Sequence, residues 1–289
     1  MWFLRLLSRS PLWFQQGLGA LMGRLTWWLA PVYRQRFKAN VAQAGLSMAE
    51  AAPAIAHIGR MMGELPWMWL RPFSEPLGAR VQWDGAELIA AALDQGRGMI
   101  LLTPHLGCFE VTAQAYVEHF SARYGPLTVL FRPARKAWMR ELVDASRERP
   151  GLLPAPASLA GVRQMLRALR QGQAVGLLPD QVPPDGLGVW APFFGKPAYT
   201  MTLAGRLAQQ TGAVPLLIWG ERLPWGRGFV VRVRPGPLIA REDTPECAAT
   251  AVNQAMESII RQLPGQYLWS YNRYKAPRRV DVAALGDGS

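Results

Sequence analysis

The chain has 289 residues, half of them hydrophobic, and a formal net charge of +12. That length gives one large domain or two small ones, and the apolar content excludes a globally disordered chain. Two cysteines, Cys108 and Cys247, exclude a disulfide framework and a cysteine-rich zinc site; three scattered histidines argue against a metal centre, so no metal and no cofactor is expected.

A basic balance suits nucleic acid, an anionic membrane, or an acidic protein or lipid partner. The aromatics favour the membrane: Trp2, Trp13, Trp27 and Trp28 all fall in the first 28 residues, and Trp is enriched where an apolar phase meets water. Trp83, Trp190 and Trp219 read as core residues. Residues 1–40 form a segment apart. No Asp or Glu precedes Glu50, whereas Arg5, Arg9, Arg24, Arg34, Arg36 and Lys38 do. Phe14, Leu18, Leu21, Met22, Leu25, Trp28, Leu29 and Val32 recur at helical spacing as one apolar face, opposite Gln15, Gln16, Gly19, Gly23 and Thr26. A cleaved signal peptide does not fit, because the apolar region is long, interrupted by glutamines and without a small-residue cleavage site. A membrane span is possible by length, but Arg24 near its centre would cost about 2.5–3.5 kcal/mol. An in-plane amphipathic anchor fits the polar strip and basic flanks best, and an ordinary core helix is the plain alternative. The block "MMGELPWMWLRPF" at 61–73 either adds to the same membrane face or is a buried helix end broken by Pro66. His57, just before it, reads as an ordinary helix residue.

Residues 41–289 hold the globular part, and from Val81 onward its pattern alternates. Strands are expected at 99–103, 127–131, 174–178, 214–220 and 229–233, and helices at 87–94, 109–120, 137–149, 159–170, 200–211 and 245–263. Thr200 reads as an N-cap and Gly212 as the residue past a helix C-terminus. The stretch "ERLPWGRG" at 221–228 reads as a hairpin turn joining the last two strands. The expected fold class is α/β, a mostly parallel mixed sheet flanked by helices, preceded by a membrane-associating helix.

Ligands bind beyond the carboxyl ends of the strands in such sheets. Three polar clusters lie at those ends: "TPHLGCFE" at 103–110, "FRPAR" at 131–135 and "PDQ" at 179–181. His105 and Glu110 are five apart, about 140° on a regular helix. They meet only if His105 lies in the strand-to-helix turn and Glu110 in the first helical turn, which Pro104 and Gly107 support. There the positive helix end disfavours imidazolium, and Glu110 can fix the ring tautomer as the acid of a Ser-His-Asp triad does. The pair then makes a general base without a protein nucleophile. A purely structural histidine is the plain alternative, and a Cys108/His105 nucleophile pair is geometrically awkward inside one turn.

These residues resemble the lysophospholipid acyltransferase superfamily, whose H-x4-D/E motif His105 and Glu110 match, and within it the late lauroyl/myristoyl acyltransferases of lipid A. Four blocks carry the resemblance in order: "ILLTPHLGCFE", "LFRPAR", "GLLPDQVPPDGLGVWAPFFGKPAYT" and "YLWSYNRYK". The resemblance implies acyl transfer from a thioester, usually acyl carrier protein, to a hydroxyl of a lipid A precursor at the cytoplasmic face of the inner membrane. It implies His105 as general base with Glu110 orienting it and no acyl-enzyme. Arg132 is implied at the oxyanion or an acceptor phosphate, Asp180 and Gln181 as shaping the site, and Phe193 and Phe194 as lining the acyl channel. Where the glycerolipid branch carries an F-P-E-G-type block, this chain has Pro179-Asp180-Gln181. Another lipid acceptor, or a non-catalytic membrane-binding protein on the same fold, are the competing readings. Nucleic acid is not expected as a partner, because the positive charge is dispersed rather than gathered in a stripe; an anionic membrane and acyl carrier protein are.

Overall fold

The computed structural model describes residues 2–131 and 149–278. In chain order the helices α1 (Trp2–Ser8), α2 (Leu12–Leu29), α3 (Pro31–Gln43), α4 (Met48–Ala51), α5 (Pro53–Gly63) and α6 (Leu65–Leu70) come first. The α/β part follows: β1 (Val81–Asp84), α7 (Ala86–Leu93), β2 (Met99–Leu102), α8 (Phe109–Tyr124), β3 (Leu127–Phe131), β4 (Leu152–Pro156), α9 (Leu159–Arg170) and β5 (Ala174–Leu177). Then come β6 (Gly188–Phe193), β7 (Lys196–Met201), α10 (Leu203–Thr211), β8 (Val214–Arg222), β9 (Phe229–Pro235) and α11 (Pro245–Gln262). Local chemistry sets many ends. Pro31, Pro53, Pro66 and Pro245 sit in first turns, where a missing N–H costs nothing. Ser47 and Glu50 form a capping box on α4, and Gly212 closes α10 at φ +70°. The apolar block at 61–73 is mainly a buried helix end: α5 stops at Gly63, α6 starts again around Pro66, and Trp67 and Met68 are buried.

Seven strands form one sheet in the order β1-β9-β8-β2-β5-β3-β4, all neighbours parallel except the β8–β9 pair, so the sheet is mixed as expected. Its centre is buried on both faces. Ile100 and Leu102 of β2 enter one apolar cluster, with α9, α10 and α11, while Met99 and Leu101 enter the other, with α7 and α8. A run of four apolar residues is what a strand covered on both sides requires. The sequence reading missed β1, β4 and the separate β6–β7 hairpin. Pro154 and Pro156 argue against a central strand, and β4 is indeed an edge strand, paired only with β3. Thr200 is not an N-cap: it lies in β7, and its buried hydroxyl accepts hydrogen bonds from Asn253 and Arg273 instead. The helix begins after Thr202. Trp219 is core, Trp83 is half-buried and Trp190 is exposed. The helix expected at 137–149 falls, up to residue 148, outside the described residues.

Helix α2 packs with the opposite orientation to a soluble amphipathic helix. Gln15, Gln16, Gly19, Ala20 and Gly23 are buried, whereas Trp13, Phe14, Leu18, Leu21, Met22, Leu25, Trp28 and Leu29 are exposed. The strip read as facing headgroups therefore faces the protein. The reason is close helix approach: a Cβ on Gly59 of α5 would come within 2.0 Å of the Gly19 carbonyl, and one on Gly23 within 2.4 Å of that of Ile55. Among the described residues no helix is long and apolar enough to cross a membrane. The β8–β9 turn brings Gly226 against Trp13 and leaves Trp225 88% exposed beside the same face.

Candidate active site

Two parallel strands at the sheet centre position the site. In the β2–β5 register Leu102 pairs with Leu177, so the segments after both strands emerge side by side at the carboxyl edge. His105 is three residues past Leu102 and Asp180 three past Leu177. Oδ1 of Asp180 is 2.8 Å from His105 Nδ1, and Oδ2 accepts the His105 backbone N–H at 2.9 Å. Gln181 Nε2 lies 3.1 Å from His105 Nε2. A carboxylate only accepts, so Nδ1 carries the proton; Nε2 then offers a lone pair, which the Gln181 amide fills by donating. The ring is held in the tautomer a general base needs, and its side chain stays 18% exposed while Asp180 is 2% exposed.

Burial alone would raise the Asp180 carboxyl. Electrostatic attraction to the His105 ring, the two hydrogen bonds from that residue and the charge of Arg273 outweigh burial and hold it below the usual carboxylate value. Tyr267, fully buried beside it, is pushed well above the usual phenol value, first by burial and then by the Asp180 charge. Tyr267 is therefore a neutral hydroxyl at any working pH.

The turn carrying His105 is pinned from three sides. Leu268 N–H donates to the His105 carbonyl, Gly107 N–H to the Gln266 carbonyl at 3.0 Å and Cys108 N–H to the Gly220 carbonyl at 2.8 Å. Gly107 has φ +61°, and a Cβ there would lie 2.0 Å from the Gly220 carbonyl oxygen, so only glycine fits. Beneath the turn lies a fully buried bidentate ion pair. Arg222 Nε and Nη2 donate to Glu64 at 2.5 and 2.6 Å, and Nη2 also donates to the Gly107 carbonyl at 3.1 Å. Gln16 of α2 donates to the same carboxylate at 2.7 Å, which ties the N-terminal helix to the floor of the site.

The structure bears out the expected local layout: His105 is in the turn and Glu110 is in the first turn of α8. The orienting contact expected of Glu110, however, is made by Asp180, and the second ring nitrogen belongs to Gln181. Glu110 is half-buried and has interactions of its own. Arg132 lies outside the described residues. Phe193 and Phe194 are buried against each other and against Tyr274 and Trp269, with Arg273 and Arg261 over their rings. A cavity of about 10 Å³, the size of one water, lies beside them. Cys108 is buried and its thiol is pushed well above the usual value, by burial first and the Glu64 charge second, which makes it a poor nucleophile. No three His, Cys, Asp or Glu side chains among the described residues gather as metal ligands.

Sequence reasoning named the closing block at 267–275 but gave it no task. It wraps the loop after β5: Val182 N–H donates to the Tyr271 hydroxyl at 3.0 Å. Arg273 is buried, donates to the Tyr199 carbonyl and to Thr200, and adds its charge behind Asp180. Glu64 and Arg222, 158 residues apart, carry no local signal that pairs them.

The site is thus a carboxylate-oriented histidine at the carboxyl edge of a mostly parallel α/β sheet. The chain belongs to the family of bacterial lipid A biosynthesis acyltransferases, whose model matches residues 3–276. It is similar to the lipid A biosynthesis acyltransferase of Haemophilus influenzae, 26% identical over 67% of this chain and 58% of that one. It is also similar to two Escherichia coli K12 proteins, each 25% identical. The lipid A biosynthesis lauroyltransferase matches over 75% of this chain and 68% of its own length; the palmitoleoyltransferase matches over 79% and 72%.

Proposed function

We propose that the protein transfers a fatty acyl chain from an acyl thioester, carried by acyl carrier protein, to a hydroxyl of a lipid A precursor at the cytoplasmic face of the inner membrane. The observation that carries the reading is the His105 ring, oriented by buried Asp180 with its Nε2 lone pair at the strand ends, in a chain of this family. The acceptor hydroxyl takes the place of the Gln181 amide at Nε2 and gives up its proton as its oxygen attacks the thioester carbonyl. Asp180 stabilises the imidazolium that forms. The tetrahedral oxyanion collapses, the carbon–sulfur bond breaks, and the imidazolium proton leaves with the carrier thiol. Arg132 serves the oxyanion or an acceptor phosphate. Glu110, at the positive end of α8, serves as the second carboxylate of the site.

Helix α2 supplies the membrane contact, through its exposed apolar face, Trp13 and Trp28, Trp225 beside them and basic residues at both ends. Removing residues 1–31 is a poor test, because it uncovers the glycine face of α5 and unpairs Gln16 from Glu64. Leu21→Ser with Leu25→Ser, both exposed, removes apolar surface without touching that packing.

The test is acyl transfer by the full chain from acyl carrier protein to a lipid A precursor, read by mass spectrometry. The expected result is the mass of one acyl chain on the lipid, abolished by His105→Ala. A folded wild-type protein that leaves the precursor unchanged with a range of acyl donors would overturn the reading. The α2 variant should lose vesicle binding and activity on vesicle-embedded acceptor while keeping activity in detergent.

A further inference from the structure

Behind the catalytic turn, His57 of α5 stands between two arginines. Its Nδ1 is 3.0 Å from Arg222 Nη1 and its Nε2 is 3.0 Å from Arg60 Nη1. Neutral imidazole has one donor and one acceptor nitrogen, and guanidinium only donates. One of the two contacts therefore sets an N–H against an N–H. Arg222 is locked through Nε and Nη2 by Glu64 and the Gly107 carbonyl, which aims Nη1 at His57 Nδ1 at 3.0 Å, with Gln266 Oε1 farther off at 3.4 Å, so the imidazole lone pair is assigned to Nδ1. The proton then sits on Nε2, facing Arg60, whose side chain is half-buried and less constrained.

Two donors 3.0 Å apart can share one oxygen, each at ordinary hydrogen-bond distance. Among the described residues no protein oxygen accepts from the Arg60 guanidinium or from His57 Nε2. Glu64 gives both oxygens to Arg222 and one also to Gln16. Among the described residues no carboxylate lies in ion-pair distance of Arg60 or Arg24. Arg24 of α2 stands near enough for its charge to act on Arg60. Among the described residues, Arg24 and Arg60 thus have no ion-pair partner, the Glu64 charge reaches Arg60 only from its pairing with Arg222, and the imidazole N–H has no acceptor; an anion completes the cluster.

We propose that Arg24, His57 and Arg60 form a binding site for a phosphate group carried on a lipid. Two donors held 3.0 Å apart, one of them a guanidinium, suit a phosphate oxygen, and the charge of Arg24 adds to them. A lipid carrier follows from the surroundings: Arg24 is exposed among Leu21, Leu25 and Trp28 on the apolar face of α2. Its neighbour in the network, Arg222, bonds the carbonyl of Gly107, two residues from His105. A phosphate here would place a lipid beside the catalytic turn. The ligand class rests on the lipid-acceptor reading above; the missing acceptor at His57 does not. The phosphate belongs either to the acyl acceptor or to a phospholipid headgroup.

The experiment uses the full chain in neutral detergent, titrated with dioctanoyl phosphatidate and, in parallel, with dioctanoylglycerol, which has the same tails without phosphate. Wild type should bind phosphatidate in preference, and the ring ¹⁵N signals of His57 should move only with phosphatidate. Arg60→Gln and Arg24→Gln should each weaken phosphatidate binding about tenfold or more, the loss typical of a charge-assisted hydrogen bond, with thermal stability retained. Equal binding of the two lipids, or phosphatidate binding untouched by Arg60→Gln, would overturn the site. Kinetics separate the sources. If the phosphate is the acceptor's, Arg60→Gln raises KM for a phosphorylated acceptor and not for its dephosphorylated form, with kcat kept. If it is a headgroup, both KM values stand and binding to phosphatidate-containing vesicles falls. A wild-type chain without acyl-transfer activity would defeat the functional reading and leave the binding result standing.

Discussion

Asp180→Asn tests the orientation of the His105 ring most sharply, because both oxygens of that carboxylate are in use. Oδ1 accepts from the ring at 2.8 Å and Oδ2 from the backbone N–H of His105 at 2.9 Å. Asparagine offers one oxygen and one NH2. If its oxygen stays on the backbone N–H, the NH2 faces the ring, and His105 must move its proton to Nε2, the atom that should accept the substrate proton. If its oxygen stays on the ring, NH2 meets N–H at the backbone of the catalytic turn. A hydrogen bond to a charged group is worth about 1.5–3 kcal/mol, or roughly 10- to 150-fold. Loss of the base tautomer extends this towards the full ~10²–10⁴-fold of positioned proton transfer. The expected outcome is a fall in kcat of about 10²–10⁴-fold with KM little changed. Steady-state transfer in detergent reads the rate, circular dichroism the fold and ¹⁵N NMR the tautomer. Glu110→Gln beside it should leave the Nδ1–H tautomer in place. A folded Asp180→Asn enzyme with near-normal kcat would refute the assignment of Asp180 as the orienting carboxylate.

Cys108→Ala should keep most of the activity, with no acyl-protein accumulating by mass spectrometry under excess donor, since the thiol is buried and shifted away from thiolate. Arg222→Leu leaves Glu64 charged and buried without its partner. It should cost about 3–5 kcal/mol, and with an unfolding entropy of roughly 0.6 kcal/mol/K for a chain of this length that is a fall in Tm of about 5–8 °C. Adding Glu64→Leu should recover part of the loss in thermal unfolding, a coupling that independent sites would not show. Burial first, then the charges of Arg222 and Arg60, lower His57 to about 3. Below the ordinary value near 6.5 the unfolded chain therefore takes up a proton that the folded chain refuses. Stability should be unaffected by this group above that value and should fall as pH drops towards 3, by up to about 1.4 kcal/mol per pH unit. Chemical denaturation of His57→Gln from pH 7 to 4 should show a shallower slope than wild type; parallel slopes would refute the neutral, buried His57.

Local pattern carried much of this protein. Four apolar residues ending in Thr103-Pro104, then His105 and Gly107, specify a central strand, a turn and a helix start, because burial on both faces, a proline and a left-handed glycine are each local constraints. The helical period of residues 12–29 likewise separated an apolar face from a small, polar one. Which face turns inward was not local: α2 lies on α5 through Gly19, Gly23 and Gly59, and only that close fit buries the glutamines and leaves the apolar face out. The same holds for the site. Chain spacing offered Glu110 as the partner of His105, since a strand-to-helix turn lets residues five apart meet, and Asp180 was only one polar residue at another strand end. Parallel pairing of β2 with β5 brings Asp180 to the ring across 75 residues, and pairing of β2 with β8 brings Arg222 beneath the turn. Strand order is fixed by how whole elements pack. The sequence by itself therefore determined which residues could do acid–base chemistry, and the tertiary structure decided which carboxylate holds the ring.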